Sequence, residues 1–228
     1  MKNFSKYQVA TAIAILFHII GITGILFFNT EWFVRSTFFN LVLMCGLLFY
    51  TQAKINKPFI VFFAVCFIVG IAVEIIGTST GWLFGSYNYG KVLGPGIAGV
   101  PLLIGINWFI IMYCCGVSVQ MLLTRLSTKL SEEMGRPVKT IQRISIVVDG
   151  ATLAVLFDYL MEPVAVKLGY WQWLDSGEIP LYNYICWFVI SMVLLYTFHR
   201  LPFEKNNKFA VNLLLIQAMF FLILRTFI

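Results

Sequence analysis

Three carboxyl side chains stand inside or at the end of long apolar runs: Glu74, Asp158 and Glu162. An ionisable group in a membrane-spanning segment is costly, which makes each one a candidate for function. Asp158 and Glu162 are spaced i, i+4, so on a helix they share one face. Aromatic residues follow them in the chain: Trp82, Phe84, Tyr87 and Tyr89 after Glu74, and Trp171 and Trp173 after Glu162. Trp108 and Asn183 sit near the starts of later apolar runs. Withdrawal from water favours a neutral carboxyl, which is a general acid, while a second, ionised one serves as base for water. Aromatic faces stabilise a neighbouring cation through their quadrupoles. The inventory therefore suits chemistry that needs only protons and water.

Other polar residues in the apolar runs have plainer roles. Asp149 lies nine residues before Asp158, which on a helix is about 13 Å deeper and half a turn round. It is expected to be a structural partner. His18 reads as a helix-packing residue and Asn107 as an interhelical hydrogen bonder. The five cysteines fall within apolar runs at no metal-ligand spacing and read as packing residues. Phosphate loops, hydride-cofactor fingerprints and metal-ligand clusters are absent from the sequence, so neither cofactor nor metal is expected.

The elements that must position these groups follow from composition. Of 228 residues, 60% are hydrophobic and 11% charged, against about 45–50% and about 25% in soluble domains. The apolar content is close to seven spans of roughly 20 residues. A soluble enzyme, a disordered chain and a secreted disulfide module are excluded. Seven segments can be drawn, roughly 9–29, 32–51, 58–77, 100–125, 141–162, 181–199 and 209–227. They predict an all-α polytopic membrane protein forming one integral membrane domain. The first segment follows Lys2 and Lys6 as a signal peptide would. It is too long for an h-region and lacks a small-x-small cleavage site, so it is expected to be the first span. Strand-type alternation is absent, which argues against a β-barrel.

The net charge of +6 does not point to nucleic acid, because the basic residues lie between spans rather than in runs. Twelve of the sixteen fall on one side (Lys2, Lys6, Lys54, Lys57, Arg125, Lys129, Arg136, Lys139, Arg143, Arg200, Lys205, Lys208). Arg35, Lys91, Lys167 and Arg225 fall on the other. The positive-inside rule then places the N-terminus in the cytoplasm and the C-terminus outside, in the cell membrane. Glu74, Asp158, Glu162 and Asn183 are all expected at the outer leaflet. Two aromatic loops, residues 77–99 and 163–180, join them there. Glu162 precedes Pro163 and is placed at a helix end.

The ordered motifs resemble a known family. Glu74-Ile-Ile-Gly77 through Thr80-Gly81, Phe84-Gly85, Tyr87 and Tyr89 is similar to the signature of membrane carotenoid-biosynthesis proteins that include the carotenoid 1,2-hydratases. Leu93-Gly94-Pro95, Gly99-Val100-Pro101 and Trp108 continue the likeness. So do Asp158 to Glu162-Pro163-Val164, Gly169-Tyr170-Trp171 with Trp173, and Ile179 to Tyr184 with Trp187. The resemblance covers about residues 70–190. It implies water addition across the terminal C=C of a linear (ψ) carotenoid such as lycopene or gamma-carotene, giving a tertiary alcohol without a redox cofactor. Asp158 or Glu74 would be the acid, with Glu162 as a third catalytic candidate. Trp82, Phe84, Tyr87, Tyr89, Trp108, Trp171, Trp173 and Asn183 would bind substrate. One departure is visible: the family pattern has Asp-Pro where this chain has Glu162-Pro163.

Two rival readings remain. A lycopene-type cyclase also protonates a ψ end but captures the cation with an internal alkene. A transporter or lipid-binding membrane protein would use the same pocket without chemistry. A retinal protein needs a mid-span lysine in the last helix, and Lys208 lies only at its mouth. Haem or di-iron chemistry needs more than His18 and His199, and prenyl transfer needs clustered aspartates.

Overall fold

The computed structural model describes residues 4–134, 139–174 and 177–228, with side chains described throughout except in 127–134 and 139–143. Among the basic residues assigned to one side, Lys2 and Arg136 lie outside the described residues, as do the side chains of Lys129, Lys139 and Arg143. The chain runs α1 (Lys6–Phe27), α2 (Thr30–Arg35), α3 (Thr37–Thr51), α4 (Lys57–Thr80), β1 (Tyr87–Tyr89), β2 (Gly96–Ile97) and β3 (Val100–Pro101). It continues with α5 (Leu103–Met134), α6 (Lys139–Lys167), β4 (Trp171–Trp173), α7 (Leu181–Arg200) and α8 (Lys208–Phe227). Among the described residues, seven stretches are long and apolar enough to cross a membrane: Lys6–Phe27, Thr30–Thr51, Lys57–Thr80, Leu103–Leu126, Ile144–Lys167, Leu181–Arg200 and Lys208–Phe227. The protein is an all-α polytopic membrane protein.

Local chemistry starts and stops the helices. Ser5 and Gln8 form a capping box at α1, and Asn29, Asn56 and Asn207 accept backbone N–H groups at the starts of α2, α4 and α8. α4 ends at Gly81, whose φ of +67° is the left-handed conformation that glycine adopts without strain. The second span is two helices rather than one. It breaks at Ser36, whose hydroxyl donates to the Phe33 carbonyl at 2.7 Å and competes with helical hydrogen bonding.

α5 is the axis of the molecule, packed against α3, α4, α6, α7 and α8. Its residues 108–117 are buried without interruption, as expected of a helix that is apolar all round. Between helices already in lipid the hydrophobic drive is weak, and close packing replaces it. Gly70 of α4 shows how close: a Cβ there would lie 2.7 Å from the Trp108 ring. At the end of the bundle away from Glu74, Asn207 donates to Thr51 Oγ1 at 3.1 Å and to the Tyr113 hydroxyl at 3.2 Å. Tyr113 in turn donates to Gln52, so the second and last spans are tied to α5.

Two features depart from expectation. α6 does not end at Glu162: the helix continues through Pro163 to Lys167. It then turns at Gly169 (φ +72°), with Tyr170 N–H returning to the Ala165 carbonyl. The two aromatic loops also pair as an antiparallel ribbon, β1 with β4, in the register Tyr87–Trp173, Asn88–Gln172 and Tyr89–Trp171. Strand alternation is thus present after all, in Tyr-Asn-Tyr and Trp-Gln-Trp, but as a small ribbon and not a barrel.

Candidate active site

The ribbon turns Tyr87, Tyr89, Trp171 and Trp173 to one face and Asn88 and Gln172 to the other, since successive side chains alternate across a strand. The aromatic face closes over the ends of α4, α6 and α7. Beneath it lies a small cavity. Glu74, Phe84, Tyr87, Tyr89, Trp108, Asp158, Glu162, Trp171, Trp173 and Asn183 line it, together with Ile104, Asn107, Met161 and Trp187. The structure thus brings all the sequence-selected residues to one place except Trp82. That residue is 77% exposed; its backbone N–H donates to Thr80 Oγ1 at 3.1 Å and its carbonyl accepts from the Tyr182 hydroxyl at 2.9 Å. Its position just past the end of α4 suits an interfacial anchor.

The three carboxyls are buried and differ in what surrounds them. Glu74 Oε2 accepts from the hydroxyls of Tyr87 and Tyr89, the latter at 2.7 Å, and Oε1 accepts from Trp108 Nε1 at 3.0 Å. Glu162 Oε2 accepts from Trp171 Nε1 at 3.0 Å and Trp173 Nε1 at 3.2 Å. Its Oε1 receives a long contact of 3.5 Å from Asn183 Nδ2, which donates more closely, at 2.9 Å, to Asp158 Oδ2. Asp158 Oδ1 is buried with no hydrogen-bond partner. Glu74 and Glu162 are therefore held by three donors each, while Asp158 keeps one oxygen free at the cavity. Glu162 is not a solvated boundary charge; with α6 continuing past it, it is almost fully buried.

The tryptophan N–H edges of residues 108, 171 and 173 bind carboxyls, and their rings supply much of the cavity wall. Trp108 stacks on Trp187 with ring centroids 4.1 Å apart and planes 12° from parallel. Trp187 was legible only as part of the resemblance; its i+4 spacing from Asn183 on α7 is the signal that places both on one face. Phe84 is buried at φ +66°, with Gly85 N–H closing on the Leu83 carbonyl at 2.8 Å. A bulky residue in that conformation is strained, and such strain collects at functional sites. Tyr87 and Tyr89 lie in the loop outside the spans. Burial, and then the Glu74 carboxylate beside them, push both phenols well above the ordinary tyrosine range, so both remain donors.

Other sequence candidates lie elsewhere. Asp149 is on an exposed face of α6 and does not line the cavity. His18 is buried between helices, its Nδ1 2.7 Å from the Ala14 carbonyl and its ring edge-on to Phe220. Among the described residues, no three His, Cys, Asp or Glu side chains gather as a metal ion requires.

Fold and site together define a multi-pass helical membrane protein with a carboxyl-bearing aromatic cavity beneath a loop ribbon. The model of the carotenoid biosynthesis protein family matches residues 32–228, and the chain belongs to that family. A curated relative is the bisanhydrobacterioruberin hydratase of Haloarcula japonica, 25% identical over 124 residues. The match covers 53% of this chain and 38% of that protein's length. No solved structure matches the chain.

Proposed function

We propose that the protein is a carotenoid hydratase that adds water across the terminal C=C of a linear ψ end group, using acid–base catalysis by Asp158 and its neighbours. The observation that carries this reading is the unequal satisfaction of three buried carboxyls around one aromatic cavity. A carboxyl with a free oxygen is the one that can present a proton to an alkene, which offers no hydrogen-bonding atom of its own. Asp158 gives its proton to the terminal alkene, leaving a tertiary cation. The rings of Trp108, Trp171, Trp173 and Phe84 stabilise that cation by their π faces, and Glu74 adds a fixed negative charge. Water attacks the cation, and its proton passes to Glu162, whose Oε1 is the most loosely held oxygen of the two glutamates. Asn183 touches both Asp158 and Glu162, so a proton returned between them resets the site without an external co-reactant.

The polar wall supports water over an internal alkene as the nucleophile. Asn107 and Asn183 place amides at a cavity that a cyclase would keep dry. A carotenoid is comparable in length to the roughly 30 Å hydrocarbon core. Its end group fits the cavity while the polyene lies between helices or in lipid. With the basic-rich loops in the cytoplasm, this site faces the outer leaflet of the cell membrane.

The test is Asp158→Asn and Glu74→Gln in a host that accumulates lycopene or gamma-carotene, with pigments read by chromatography and mass. The wild type should give a product heavier by one water, and each variant should lose it while still inserting in the membrane. Hydroxylated product from both variants would overturn the acid–base assignment. A cyclised product of unchanged mass would assign a cyclase instead.

A further inference from the structure

A second cavity lies between α1, α3 and α8 on one side and α5 and α6 on the other. It adjoins the carboxyl site: Ile104, Asn107, Met161 and Trp171 line both. Most of its wall is apolar, supplied by residues such as Leu41, Leu93, Leu103 and Phe220. Polar side chains of Thr37, Asn107, Tyr170 and Gln217 also reach that wall, and two acceptors stand in it. Asn40 Oδ1 is buried with no hydrogen-bond partner. His18 Nδ1 is 2.7 Å from the Ala14 carbonyl, which can only accept, so Nδ1 carries the ring proton and Nε2 is an acceptor.

A buried acceptor without a donor is destabilising, and natural structures meet it with a ligand or an ordered water. Asn40 Oδ1 asks for an O–H or N–H donor. An apolar body bearing one hydroxyl matches both the largely apolar wall and that single unmet acceptor. We propose that this second cavity binds the hydroxyl-bearing end of an isoprenoid chain, a tertiary alcohol that presents its O–H to Asn40 Oδ1. The inference rests on the hydratase reading for the kind of alcohol, since the adjoining site would make one and pass it across the Asn107 border. His18 belongs to α1, which lies outside residues 32–228, whereas Asn40 lies within them.

Binding is measured with the purified full chain carrying Asp158→Asn, so that ligand is held without turnover. The two probes are lycopene and its monohydroxy derivative with one water added at one end. Quenching of tryptophan fluorescence reports occupancy, Trp171 being in both walls. The alcohol should bind about tenfold more tightly than lycopene, the scale of one neutral hydrogen bond. Adding Asn40→Leu should remove that preference and leave lycopene affinity as it was, which also reports that the variant is folded. Equal affinities in the parent, or equal weakening of both ligands in the variant, would overturn the proposal. A variant that keeps the preference but slows hydration in the otherwise wild-type chain would assign the acceptor to water and overturn it too. Preference without any turnover by the wild type would sink the hydratase reading alone. Binding of neither probe would sink both.

Discussion

Arg225 of α8 donates from Nη1 to the carbonyl oxygen of Tyr159 in α6 at 2.8 Å, with its guanidinium 4.4 Å from the centroid of the Tyr159 ring. Tyr159 is four residues before Pro163, and proline has no N–H with which to close that helical bond. The arginine supplies the missing donor from the neighbouring helix. Lys167 adds a second tie, from its ammonium to the Ile228 carbonyl. α6 can therefore pass through Pro163 as a helix, which keeps Asp158 and Glu162 one turn apart under the ribbon.

This relationship predicts a specific pattern of coupling. Arg225→Leu should destabilise the folded protein by about 1–2 kcal/mol, because a carbonyl is left without a partner. Pro163→Ala restores the N–H, so in that background Arg225→Leu should change the unfolding temperature little. A double-mutant cycle in detergent measures the difference. Equal effects in both backgrounds would mean that Arg225 acts through the Tyr159 ring or the membrane surface instead.

Glu162 carries a second prediction. Its longer side chain reaches Trp171 and Trp173 from α6, where the related pattern has aspartate. Glu162→Asp retains the charge but draws the carboxyl back by one methylene, away from both indole N–H groups. Hydration should fall by roughly tenfold, less than the roughly 100-fold or greater loss expected of Glu162→Gln if the residue is a proton acceptor. Initial rates on one carotene, normalised to protein in the membrane, compare the two. Equal losses would show that position rather than proton transfer is what Glu162 provides.

Glu74 and Asp158 were legible from the sequence because charge is scarce in apolar runs, so a lone carboxyl stands out there. The i, i+4 spacing of Asp158 and Glu162 was legible for the same reason that it works: a helix puts the two on one face. Trp82 was misplaced because sequence proximity to Glu74 says nothing about direction once Gly81 has turned the chain. Pro163 gave a false stop, since the donor that compensates it comes from Arg225 in another helix. The ribbon was hidden more deeply. Tyr-Asn-Tyr and Trp-Gln-Trp are each too short for alternation to be a signal, and their register is set by a tertiary contact between loops far apart in the chain.

The ribbon can be tested at Gly90. Its N–H donates to the Tyr170 carbonyl at 2.8 Å, and a Cβ on it would lie 2.1 Å from the carbonyl oxygen of Gly169. No side chain can be accommodated without moving one of the two backbones. Gly90→Ala should part β1 from β4 and withdraw Tyr87 and Tyr89 from Glu74, lowering hydration at least tenfold while the helical spans still insert. Helix content by circular dichroism checks the second half of that statement. Full activity in this variant would mean that the ribbon is not what orients the aromatic face.

The orientation proposed from the basic residues has its own consequence. Lys91 lies in the loop after β1, on the side where basic residues are few, and Lys54 lies between α3 and α4 on the side where they are many; both are exposed. All five native cysteines are buried and free, so background labelling is low. A membrane-impermeant maleimide added to intact cells should label Lys91→Cys and spare Lys54→Cys until the membrane is opened. The reverse pattern would turn the bundle over and put the carboxyl cavity at the cytoplasmic leaflet. Water and carotenoid would then both have to reach it from inside the cell, and the acid–base reading of Asp158 would survive with its leaflet exchanged.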